Sequence, residues 1–108
     1  MAVDANDFSV GHRRESDRMV VKVCGEVDLA TSPQLSEALQ KAIDESLDVA
    51  VDLSATTLID STGISVLLAS FKGLREKGGN LWVSAASPPA RKIFEIAGLV
   101  DILSVPGP

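Results

Sequence analysis

"DLSATTLIDSTGI", Asp52 to Ile64, begins as the end of a strand and finishes as the start of a helix. The residues just before it complete "DVAVDLS", Asp48 to Ser54, an apolar centre between polar ends that predicts a strand. "IDSTGI" then supplies an acid, two hydroxyls and a glycine. Ser and Asp side chains accept hydrogen bonds from the unpaired N–H groups of a first helical turn, so Asp60 or Ser61 is expected to open a helix. The same free N–H groups and the helix dipole would favour a phosphate on Ser61. Ile64, Leu67, Leu68, Phe71 and Leu74 continue as one apolar stripe at helical spacing, and "KGGN" at Lys77 to Asn80 ends it.

The same grammar repeats on both sides. A short strand around Phe8 to Gly11 is expected to turn through "HRRESD" into a second strand at Met19 to Gly25. "Ser32-Pro33" predicts a helix with Ser32 as its cap, and Leu35, Leu39, Ala42, Ile43 and Leu47 form its apolar stripe. Downstream, Leu81 to Ala85 predicts a strand. "Ser87-Pro88-Pro89" opens a further helix with Ile93, Phe94 and Ala97 facing inward, Gly98 stops it, and a last short strand is expected near Ile102. Alternating strands and helices imply an α/β fold with crossovers and a largely parallel sheet, made mixed by the leading hairpin. The expectation is one domain over residues 1–108, with about four or five strands and helices mainly on one face. Only Met1 to Asn6 and Ser104 to Pro108 are expected to be loose.

Composition narrows the function. The chain has 108 residues, 45% hydrophobic and 23% charged, with a formal net charge of −5. That suits a soluble globular domain and argues against nucleic acid as a partner, because phosphate binding needs clustered Lys and Arg. "HRR" at His12 to Arg14 and "RK" at Arg91 to Lys92 read as solvated surface. Cys24, the single cysteine, cannot close an internal disulfide and reads as a structural residue of a reducing compartment. "MAVDANDF" lacks the basic and apolar regions of a secretory signal, and no apolar run approaches a membrane span, so the cytoplasm is expected.

Chemical motifs are few. A nucleophile elbow would need glycine where Ile59 stands, and the sole histidine, His12, falls in a predicted turn. No phosphate-binding P-loop pattern occurs. Asp28, Asp52 and Asp60 follow strands without His or Cys nearby, which favours capping over metal binding. What remains is a pair of strand-to-helix stretches, "GEVDLATS" at Gly25 to Ser32 and "DLSATTLIDSTGI". In a parallel unit both leave the same sheet edge, which would bring Asp28 and Ser61 together.

Those two stretches, their order, and "ASPPA" at Ala86 to Ala90 before the last helix resemble the STAS domain of bacterial anti-sigma factor antagonists, from about Phe8 to Leu103. The resemblance implies that Ser61 is phosphorylated by the anti-sigma factor, which is a serine kinase. The unphosphorylated protein would bind that kinase and release a sigma factor, and a serine phosphatase would reset the cycle. Partner contacts would then involve Asp28, Asp60, Ser61, Thr62, Gly63 and Ser65, with no cofactor, no metal and no catalytic residue, and with a monomer as the free form. Thr62 is a second hydroxyl candidate, and Ile64-Ser65 stands where the family often has Leu-Gly. The rival is a STAS scaffold in a stress-signalling or lipid-transport complex, with Ser61 merely a helix cap.

Overall fold

The computed structural model describes residues 8–107, so the expectations for Met1 to Asn6 and for Pro108 lie outside the described residues. Seven elements follow in order: β1 (Ser9–Glu15), β2 (Arg18–Val27), α1 (Ser32–Glu45), β3 (Asp48–Ile59), α2 (Ser61–Glu76), β4 (Asn80–Ala86) and α3 (Pro88–Ala97). The four strands lie in the order β1-β2-β3-β4. β1 runs antiparallel to β2, whereas β2–β3 and β3–β4 are parallel. The sheet is therefore mixed and mostly parallel, as the alternation of elements predicts.

Side-chain alternation explains where the core sits. Met19, Val21 and Val23 of β2, Val49, Val51 and Leu53 of β3, and Leu81 and Val83 of β4 point to one face. There they meet Leu35 and Leu39 of α1, Leu67 and Leu74 of α2, and Ala90 and Phe94 of α3 in one buried cluster. Full burial of such a side chain stabilises by about 1.5–3 kcal/mol. Val20 and Ala50, at the intervening positions, lie outside that cluster. The intervening positions carry polar groups as well, among them Lys22 and Asp52, and the Arg18 guanidinium lies 5.8 Å from the centre of the Trp82 ring. All three helices thus serve one face.

Several expectations are corrected. β1 does not end at Gly11 but runs through His12, Arg13 and Arg14 to Glu15, leaving Ser16 and Asp17 as the turn. This edge strand is solvent-exposed and reads as polar, so periodicity could not find its end. Glu15 is held by both Arg13 and Arg18 at 3.0 Å. No strand forms near Ile102 among the described residues; the chain turns there, and a single bond from Val83 N–H to the Leu103 carbonyl (2.8 Å) touches the β4 edge. Leu103 and Val105 are buried, and Arg91 Nε donates to the Pro106 carbonyl at 2.9 Å, so residues 104–107 are pinned rather than loose. Leu47 and Ala97 are exposed, because α1 ends at Glu45 and Ala97 is the last residue of α3. The expected cap at Ser87 forms, its side chain accepting from Ala90 N–H, and Gly98 ends α3 in a left-handed conformation.

Candidate functional site: two strand-to-helix junctions

β2 and β3 leave the sheet side by side. Val27 pairs with Ile59, and Asp60 N–H donates to the Val27 carbonyl at 3.0 Å, so the loops that follow begin on neighbouring strands at one sheet edge. This is the juxtaposition of Asp28 and Ser61 that parallel topology requires. The approach to it is irregular: register shifts lie between Lys22 and Cys24 and between Gly25 and Glu26, and Gly25 has φ +86°, a region that glycine enters without steric cost.

At the second junction Asp60, not Ser61, is the N-cap of α2. Its backbone is extended, and its carboxylate accepts from Thr62 N–H at 2.9 Å and Gly63 N–H at 3.3 Å. The Thr62 hydroxyl donates to the same oxygen. These donors, the Thr62 hydroxyl foremost, hold the Asp60 carboxyl below its ordinary value of 3.8 against the opposing effect of partial burial. Ser61 is left as the first helical residue, exposed, and none of the hydrogen bonds among the described residues uses its hydroxyl. Thr62 is half-buried with its hydroxyl engaged. Of the two candidate hydroxyls, Ser61 is the one presented to solvent.

Gly63, expected on the contact surface, is buried at its foot. A Cβ at this position would lie 2.6 Å from Val27 Cγ1 and 2.8 Å from Ile59 Cγ1. Glycine lets the first turn of α2 press onto the ends of β2 and β3, and so sets the height at which Ser61 stands. Ser65, one turn further along, is exposed.

The first junction is organised differently. Asp28 Oδ1 accepts from the N–H groups of Ala30 and Thr31, both at 3.0 Å, while Asp28 N–H donates to Thr31 Oγ1 at 2.9 Å. Thr31 Oγ1 lies within donating reach of the Glu26 carbonyl (3.0 Å) and of Asp28 Oδ1 (3.1 Å). The Asp28 carbonyl accepts from Ser32 N–H at 2.8 Å. Ser32 is not the cap that the sequence predicts: the N-cap is Thr31, without a side-chain cap bond, and Ser32 is buried with its hydroxyl directed to the Leu29 carbonyl. Asp28 and Thr31 instead bond to each other and to the loop ahead of α1, closing the turn before the helix begins. Thr31 is the residue the sequence reading missed, although Asp-x-x-Thr after a strand is the spacing at which such side chains close a turn.

Asp52, expected to follow a strand, lies inside β3 because that strand runs on to Ile59, and its carboxylate accepts from Ser54 N–H at 2.9 Å. Partial burial pushes its carboxyl up, but the bonds from Ser54 and the nearby Lys22 and Arg13 charges outweigh it and leave the pKa lowered. All three aspartates are thus engaged by local donors, and no cluster of three metal-ligating side chains occurs among the described residues. No helix there is long and apolar enough to cross a membrane.

Comparison with known proteins agrees with this architecture. The family model described as "Mlab, STAS domain" matches residues 10–104. An anti-sigma-B factor antagonist of Listeria monocytogenes is 34% identical over 93 residues, covering 85% of this chain and 82% of that protein. An anti-sigma-B factor antagonist of Bacillus subtilis is 28% identical over 99 residues, covering 92% and 91%. Among solved structures, an anti-sigma factor antagonist from Mycobacterium paratuberculosis superimposes with a TM-score of 0.85 at 25% identity, over 96% of this chain and 89% of that one. The chain belongs to the STAS-domain anti-sigma factor antagonist family.

Proposed function

We propose that the protein is an anti-sigma factor antagonist that switches partners through Ser61. Unphosphorylated, it binds an anti-sigma factor serine kinase and so frees a sigma factor; phosphate on Ser61 ends that binding, and a serine phosphatase restores it. The observation that carries this reading is the exposed hydroxyl of Ser61 at the first position of α2, which takes part in no hydrogen bond among the described residues while Asp60 performs the capping. The names of the curated relatives support the choice of partner.

The contact surface comprises Asp28, Asp60, Ser61, Thr62 and Ser65, with Gly63 shaping it from beneath. A phosphate adds about −1.5 to −2 charge and three acceptor oxygens at one point of this surface. The N-terminus of α2 tolerates that charge within the fold. An apolar or acidic partner surface does not tolerate it across an interface. In this role the protein is a kinase substrate and a binding module, not a catalyst, and it works in the cytoplasm as a monomer when free.

Co-purification from the native cell, with intact-mass measurement of the recovered chain, tests the reading. Recovery of a kinase-type anti-sigma factor and a single phosphate on Ser61 is the expected result. Recovery of a transport or stress-signalling assembly with an unmodified Ser61 would overturn it in favour of a scaffold.

A further inference from the structure

The loop between β2 and α1 holds one large apolar side chain out in solvent. Leu29 is 75% exposed, yet the backbone on either side of it is fixed. Asp28 is tied to Thr31 through both its N–H and its carboxylate, Ala30 N–H donates to the same carboxylate, and the Leu29 carbonyl receives the Ser32 hydroxyl. Single exposed apolar residues are common, and Ile96 on α3, 73% exposed, is one that stands away from this edge. Leu29 differs in two ways. It sits on a loop closed by side-chain hydrogen bonds, and that loop leaves the sheet beside the junction that carries Ser61. Leu58, 43% exposed and three residues before Ser61, adds apolar surface at the end of β3.

Resting on the functional reading above, we infer that Leu29 is the apolar anchor of the partner interface, seated in an apolar pocket of the kinase-type anti-sigma factor. Asp28 and Thr31 act through it as positioning residues. A side chain presented by a fixed loop loses little freedom on docking, which favours its use as an anchor. The arrangement also explains the switch in physical terms. A dianionic phosphate on Ser61 would have to shed water beside an interface that Leu29 dries, and unpaired charge is costly there.

The test uses the full chain and the kinase that co-purifies with it. Leu29→Ala should weaken binding about 10- to 100-fold, the equivalent of losing one buried aliphatic side chain. In phosphorylation assays the same variant should raise KM by a similar factor and leave kcat nearly unchanged, because Leu29 supplies binding without touching the reacting hydroxyl. Thr31→Val should reproduce the defect and Thr31→Ser should rescue it, a pattern that loss of bulk alone does not give. Ile96→Ala should behave as wild type. Thermal melts followed by the single tryptophan, Trp82, verify that each variant is folded. Wild-type affinity and KM for folded Leu29→Ala, with wild-type protein binding normally, would overturn the anchor and leave the functional reading standing. If the wild-type chain itself neither binds the kinase nor is phosphorylated, the functional reading fails, and the anchor with it.

Discussion

The two junctions at the functional edge use the same residue type to opposite ends. At each, an aspartate just past the strand accepts backbone N–H bonds from residues two and three positions on, and a threonine hydroxyl joins it. The difference is one of spacing. Asp60 is itself the N-cap, so the residue after it is already helical, and its side chain is presented at the helix N-terminus. Asp28 stands four residues before α1, so its bonds close a free-standing turn, and the residue after it is presented as an exposed leucine. One junction displays an exposed hydroxyl, the other an exposed apolar side chain, and neither display costs the fold an unsatisfied group: among the described residues no buried side-chain polar atom lacks a partner.

The largest effect on this comparison should come from beneath it. Gly63→Val places branched carbon where Val27 and Ile59 already stand at 2.6 and 2.8 Å from a Cβ. Overpacking of this kind costs about 1–3 kcal/mol, and β-branching adds to it at a helix start. Thermal unfolding should show a clear loss of Tm, and the displaced first turn should weaken kinase binding too.

Next comes the loop aspartate. Asp28→Ala removes the acceptor of the Ala30 and Thr31 N–H groups and should cost about 1–2 kcal/mol in denaturant melts. Its half-buried, bonded state makes this a larger structural loss than an exposed loop residue would show. Asp28→Asn keeps an acceptor oxygen and should recover most of the stability. If Asp28→Asn also recovers binding, the carboxylate serves the loop; if binding alone stays low, its charge faces the partner.

The second junction can also be tested by pH through Asp60. Its folded pKa lies below the ordinary 3.8, so its contribution is present above the unfolded value and is lost as pH falls through the lowered folded value. Stability should therefore decline as the pH drops below about 4, and Asp60→Asn should flatten that part of the profile. An unchanged acid limb in the variant would remove Asp60 from the account of acid sensitivity. Smallest of all should be Ser61→Ala. Because Asp60 caps α2, the substitution should change stability by less than about 0.5 kcal/mol. A loss near 2 kcal/mol would mean that the serine hydroxyl is the cap after all.

Much of this fold was legible because its signals are local. The apolar centre between polar ends at Asp48–Ser54, the stripe from Ile64 to Leu74, and the Ser87-Pro88 start each follow from a few adjacent residues, and each lies in the kind of element expected. What escaped depends on distant partners. β3 continues through "ATTLI" to Ile59 although Ser54 reads as its polar end and two threonines follow, because it pairs with β2 across two register shifts. The segment near Ile102 carries apolar residues that suit a strand, but Leu103 and Val105 are buried in the core without extended pairing along β4. At the site, Asp60 and Ser61 were legible as a helix start, though not which of them caps. Gly63 was legible as a residue and not as a packing requirement, since Val27 approaches it from another strand. Thr31 and Leu29 escaped because their roles arise from a closed turn and from exposure, neither of which periodicity records.

The central claim is that one hydroxyl controls one interface. Its most direct test is a titration of the co-purified kinase with three forms of the protein: unmodified, phosphorylated to completion, and Ser61→Ala treated identically with kinase and ATP. The account predicts tight binding for the unmodified chain, at least tenfold weaker binding for the phosphorylated chain, and unchanged tight binding with no incorporated phosphate for Ser61→Ala. Equal affinity of the phosphorylated and unmodified forms, or full phosphate incorporation into Ser61→Ala, would contradict it.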